Sequence, residues 1–189
     1  LAGYYDAYRV FAQNMSRPWV GDGFELTVND EILTWINMTK DLADKKFIGD
    51  EWLWSDEWCA GMGGYNNVFG YFVPTWMVDF VMPMNAGDTY GDWAVCAGPD
   101  AFNWGGSYIC AGYLTDNASL VADIMYQLCC NPDIMRTFTA DMHDTANNIT
   151  VIQEMVQSDY TSDYLGGQNP FSVYHEAAKD IDFTNVNTY

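Results

Sequence analysis

Apolar residues recur at three- and four-residue spacing along several stretches of the chain, and that spacing predicts amphipathic helices. Residues 30–47 carry Ile32, Trp35, Ile36, Leu42, Ala43 and Phe47 in this register. Asn29 stands at the N-cap position, acids fill the first turn, and Lys40, Lys45 and Lys46 lie toward the C-terminal end, where the helix dipole favours positive charge. The opening residues 4–14 share the pattern until Ser16-Arg17-Pro18 interrupts it, and residues 19–27 around Gly21-Asp22-Gly23 read as a hairpin or loop. Ser55 is placed to start a short helix that the glycines from Gly61 onward stop. Later helices are predicted over residues 118–130 with Leu120, Val121, Ile124 and Leu128, and from the Asn131-Pro132 start through Ile134, Met135, Phe138 and Met142. Two more follow, one after Asn147-Asn148 through Ile152, Met155 and Val156, and a last over residues 171–181.

Between these helices the texture changes. Residues 68–73, 92–97 and 107–114 are rich in β-branched and aromatic side chains and predict buried strands. Strands mixed with many helices predict an α/β fold. Glycine-marked junctions at residues 98–106 and 166–167 are expected where the chain passes between lobes.

Composition narrows the partners. Seven Lys and Arg against 26 Asp and Glu give a formal charge of −19, spread along the whole chain, which repels phosphate backbones and excludes nucleic acid. The longest apolar run, residues 72–84, is broken by Pro74, Asp79 and Pro83, short of the ~20 apolar residues of a transmembrane segment. The sequence opens at Leu1 with no basic, apolar leader, so any export signal is expected to have been removed or to be absent from it. Cys59, Cys96, Cys110, Cys129 and Cys130 form an odd set without a C-x-x-C pair, so reduced, mostly core thiols are expected in place of a disulfide framework or zinc site.

No catalytic motif emerges. His143 and His175 lie outside H-E-x-x-H, and G-x-S-x-G and G-x-G-x-x-G are absent. The acidic pairs Asp50-Glu51 and Asp56-Glu57 lack an EF-hand series of oxygen ligands, so neither metal nor cofactor is expected. Eight Trp, thirteen Tyr and ten Phe stand out instead, because Trp and Tyr rings offer flat apolar faces with polar edges to the C–H faces of sugars. Two segments present such rings on bent backbone: residues 70–76, ending in Trp76, and residues 98–106, carrying Trp104.

Taken in order, Trp76, Gly91-Asp92-Trp93-Ala94-Val95 with Gly98-Pro99, and Trp104-Gly105-Gly106 resemble the family 1 extracellular solute-binding proteins of carbohydrate ABC transporters. Arg17-Pro18-Trp19-Val20, Trp58 before Gly61-Met62-Gly63, and Leu165-Gly166-Gly167-Gln168-Asn169 are similar to segments of Firmicute members. The resemblance implies a fragment of a periplasmic-binding-protein-like (type II) two-lobed fold, helix-rich with a mixed sheet. Residues 1–102 would be the main body of the second lobe, 103–165 a segment of the first, and 166–189 the return crossing. It implies carbohydrate held in an inter-lobe cleft without catalysis, handed to the membrane permease subunits of an importer. The full-length protein would be extracellular and lipid-anchored. On the matching positions, Trp76 and Trp104 with Gly105 and Gly106 are expected to form the aromatic platform, Thr75 and Asn103 to reach sugar hydroxyls, and Gln168 and Asn169 to lie at the later crossing. The alternative is a secreted glycoside hydrolase or a carbohydrate-binding module, and a hydrolase would need two acids flanking the sugar bond.

Overall fold

The computed structural model describes residues 1–184; the end of the 166–189 segment, residues 185–189, lies outside the described residues. Helices carry the regular structure: α1 (Tyr8–Gln13), α2 (Asp30–Asp44), α3 (Asp56–Ala60), α4 (Met77–Phe80), α5 (Met82–Asn85), α6 (Ala118–Cys130), α7 (Pro132–Met142), α8 (Ile149–Val156) and α9 (Phe171–Asp180). Short 3₁₀ turns intervene at Gly61–Gly63, Tyr65–Asn67, Gly87–Thr89 and Asp163–Leu165. No helix among the described residues is long and apolar enough to cross a membrane.

The expected α/β, two-lobed fold with a mixed sheet is corrected. Among the described residues there is no β-strand, and β pairing is confined to isolated bridges joining Val20 to Leu26 and Ser162 to Gln168. The reason lies in the three stretches whose composition predicts strands. β-propensity measures how a side chain fits a half-buried pleated surface, and a strand forms only against a partner. Residues 68–73 and 92–97 pack side chains without a ladder: Val68, Tyr71, Val73, Trp93 and Val95 lie against a core of Trp58, Met62, Met77, Val78, Met82, Ala86 and Leu165. Residues 107–114 stay at the surface, with Tyr108 92% exposed. The hairpin or loop expected at residues 19–27 is a hairpin, closed by Thr27 N donating to Trp19 O at 2.8 Å and Gly21 N to Glu25 O at 3.0 Å.

Helix starts follow local chemistry. The Ser55 hydroxyl accepts from Trp58 N, the Asn131 amide from Asp133 N, and the Asn148 amide from both Thr150 N and Val151 N, so α3, α7 and α8 begin with side-chain caps. Asn29 occupies the N-cap position of α2 but is fully buried, and its amide nitrogen turns to Met15 Sδ at 3.3 Å.

The first core is organised around Trp58, whose exposure is 0%. Its indole Nε1 donates to the Asp6 carboxylate at 2.8 Å, and the other Asp6 oxygen accepts from Ala2 N and Gly3 N. Burial raises the Asp6 pKa above the ordinary carboxylate value, with the Trp58 bond pulling against it. The Tyr71 hydroxyl donates to Trp58 O at 3.0 Å, and burial pushes the Tyr71 pKa well up. A second core, Ile152, Phe171 and Tyr174, forms where α8 packs on α9. Val95 packs against both cores, and the Gln168 side-chain amide brackets it, accepting from its N–H at 2.8 Å and donating to its carbonyl at 2.7 Å.

Several faces predicted as core lie outside it. Of the α7 face expected to point inward, Met135 is buried, together with Thr139, while Ile134 and Phe138 are exposed, and α6 packs on α7 without burying any residue. All five cysteines are free thiols, and Cys96, Cys110, Cys129 and Cys130 are exposed, which corrects the expectation that most serve the core.

Candidate functional site

Trp54 is the residue around which the site is built. It sits just before the Ser55 cap with φ +68°, a left-handed conformation that costs a bulky L-residue roughly 1–3 kcal/mol. In that conformation its ring meets three others. It lies edge-on to the buried Trp58 at 4.9 Å between centroids, stacks on Trp76 at 5.4 Å and 19°, and meets Trp104 edge-on at 5.9 Å. The structure therefore brings together the two sequence-predicted platform residues, Trp76 and Trp104, through a third that sequence reasoning did not assign to the site. Trp54 is exposed, whereas Trp76 and Trp104 are partly buried, and Trp76 also packs against the first core.

Each ring is held by a different element. Trp76 is the N-cap residue of α4. Trp104 lies on an irregular segment fastened to the end of α1: Asn14 Nδ2 donates to Ala101 O at 3.0 Å, and the Gln13 amide brackets Asn103, accepting from its N–H at 2.5 Å and donating to its carbonyl. One turn earlier on α1, the Arg9 guanidinium lies 4.4 Å from the Trp104 ring centroid, a cation–π contact. Phe102 tilts toward the same ring at 6.1 Å.

The remaining candidates divide by what already holds them. The Asn103 side chain accepts from Gly105 N at 2.6 Å, closing a turn in which Gly105 takes φ +127°; Gly105 and Gly106 are exposed with open space beside them. Thr75 faces away toward the loop after α7, where its hydroxyl donates to Asp144 at 2.6 Å and meets Thr145 Oγ1 at 3.2 Å. Asn169 bridges the end of α8 to the start of α9, donating to Met155 O and accepting from Phe171 N, both at 3.0 Å. With Gln168 committed to Val95, these two amides tie segments of the fold together and are not gathered at the tryptophans.

Beside Thr75 lies a polar group with acid–base character. Asp79 is 3.5 Å from His143, the left-handed residue that ends α7, and burial raises the Asp79 pKa against the pull of that histidine. Tyr160 stacks on His143 at 4.5 Å, and burial pushes its phenol up to about 12. No group of three or more His, Cys, Asp or Glu among the described residues is arranged to hold a metal ion.

Trp54 and Arg9 are the site residues that sequence reasoning missed. Tryptophans at 52, 54 and 58 mark the region in the sequence. Nothing there tells that 54 turns to a left-handed backbone while 58 is sealed in the core. A partly exposed aromatic cluster with Arg, Asn and glycine backbone at its edge offers stacking and hydrogen bonding, the two interactions that hold a sugar ring. No protein-family model matches the sequence, and no curated protein matches it.

Proposed function

We propose that this chain binds carbohydrate on the surface formed by Trp54, Trp76 and Trp104 and performs no chemistry on it. The observation that carries the reading is the convergence of Trp76 and Trp104 on Trp54, which a left-handed backbone holds in place. The role of this binding, capture of sugar outside the cell by a lipid-anchored protein that passes it to importer permeases, is proposed from the resemblance in segment order. With no strand among the described residues to build a sheeted two-lobed cleft, the ligand lies along one aromatic surface, with Asn103 and Gly105 backbone at its rim.

The test is thermal unfolding against a panel of neutral mono- and oligosaccharides, with product analysis of the same mixtures. A binding protein is stabilised by its sugar, by ~2.7 kcal/mol at a hundred times Kd, and leaves it intact. Trp104→Ala, which removes a partly exposed ring, is expected to keep the fold and weaken sugar binding by ~1–3 kcal/mol. A panel that stabilises nothing, or unchanged affinity in Trp104→Ala, refutes the reading; released product moves it to a glycoside hydrolase.

A further inference from the structure

A second aromatic surface lies apart from the tryptophan cluster, where residues 3–5 pass between α2 and the segment before α3. Two adjoining hollows share Tyr4 and Tyr5 as a common wall. One, about 300 Å³, is backed by Trp35 and Ile36 of α2; the other, about 220 Å³, is walled by Asp50, Glu51 and Trp52. Tyr5 and Trp52 stack at 5.4 Å and 24°, yet Trp52 stays 69% exposed and Tyr5 45% exposed, so most of the Trp52 ring remains open. Tyr8 steadies the back wall, edge-on to Trp35 at 5.0 Å.

The smaller hollow is lined by two carboxylates and no basic side chain. The Asp50 carboxylate has no hydrogen-bond or ion-pair partner among the described residues, and Glu51 uses one oxygen to accept from Asn66 at 2.8 Å. Lys40, on the wall of the larger hollow, is paired with Asp44 at 2.5 Å, and the Leu1 ammonium donates to the Phe47 carbonyl at 3.1 Å. Aromatic faces carry negative electrostatic potential and attract a cation within about 6 Å of the ring centroid. Carboxylates at the rim add a counter-charge, and the −19 charge of the whole chain draws cations from a distance.

The geometry points to a binding site for a small organic ammonium ion in the smaller hollow. The cationic head lies against Tyr4, Tyr5 and Trp52, with Asp50 and Glu51 as its counter-ions. The smaller hollow shares no residue with the proposed sugar surface of Trp54, Trp76 and Trp104, so the two sites are separate.

Choline and its uncharged isostere 3,3-dimethylbutan-1-ol separate charge recognition from shape. Calorimetric titration of the whole chain at constant ionic strength is expected to show choline binding, with the isostere at least about tenfold weaker. Trp52→Ala and the double variant Asp50→Asn/Glu51→Gln change exposed or rim side chains; each is expected to weaken choline about tenfold while the circular dichroism and melt of the parent are retained. Trp104→Ala is expected to leave choline binding unchanged. No choline binding up to about 10 mM, equal binding of the isostere, or full affinity in both Trp52→Ala and the double variant overturns the site.

Discussion

Asp6 joins the two candidate surfaces: its carboxylate fixes Ala2 and Gly3, next to Tyr4 and Tyr5, and holds the Trp58 indole on which Trp54 rests. Asp6→Ala strands three donors, the Trp58 indole N–H and two backbone N–H groups, where Asp6 itself is only 1% exposed. Each buried donor left without an acceptor costs roughly 1–3 kcal/mol. Part of that is offset because the variant escapes the desolvation that raises the Asp6 pKa. The expected net loss is about 3 kcal/mol, which for a chain of this size lowers Tm by roughly 6–12 °C. Asp6→Asn should fall between, since an amide oxygen can accept from Trp58 while its NH₂ opposes the Ala2 and Gly3 donors. The pH dependence has a definite sign. With the folded pKa above the ordinary 3.8, the unfolded chain releases the proton first as pH rises. The parent therefore loses stability between 3.8 and the folded pKa, and its advantage over Asp6→Asn shrinks across that window. Calorimetric melts of parent and both variants over a pH series measure both effects. An Asp6→Ala melt within roughly 2 °C of the parent, or an advantage that grows with pH, would show that Asp6 is not the anchor described.

A thiol reagent applied to the native protein is expected to modify Cys96, Cys110, Cys129 and Cys130 quickly and Cys59 only on unfolding, because partial burial raises the Cys59 thiol pKa with Asp56 adding to the effect; five fast thiols would contradict the packing of α3. Gly166→Ala places a Cβ 2.8 Å from the Gly91 carbonyl at φ +58°, and should lower stability in urea by roughly 1–3 kcal/mol, more than Gly167→Ala, where φ is +88° but space is open. Asn148→Ala removes the cap on Thr150 N and Val151 N and should cost ~1 kcal/mol by the same measurement.

What the sequence made legible was chemistry that acts within a few residues. Ser55, Asn131 and Asn148 start helices because their side chains satisfy N–H groups two or three residues on. That geometry needs no distant partner. The strands expected at residues 68–73, 92–97 and 107–114 required a second segment alongside, and aromatic and β-branched composition reports suitability for a sheet without supplying a neighbour. On the candidate site, tryptophan content pointed to Trp76 and Trp104, and both converge on Trp54. Thr75, Gln168 and Asn169 were assigned by position, but Asp144 and Val95, far along the chain, take up the polar atoms of Thr75 and Gln168, while Met155 O and the neighbouring Phe171 N–H take up those of Asn169. The conformation of Trp54 was hidden for a related reason: a positive φ in a large residue is imposed by surrounding packing, which one residue's identity does not encode.

The position of α6 divides the molecule into two grades of permanence. This helix buries no residue, and the segment ahead of it leaves Tyr108, Tyr113 and Leu114 in solvent, so it can unwind without opening either core. Its amides should accordingly exchange with solvent through local opening, at rates set by that helix alone, while amides around Trp58 and Phe171 wait for global unfolding. A protease entering at residues 107–117 would nick the chain and leave both aromatic surfaces standing, since their residues all come from elsewhere in the fold.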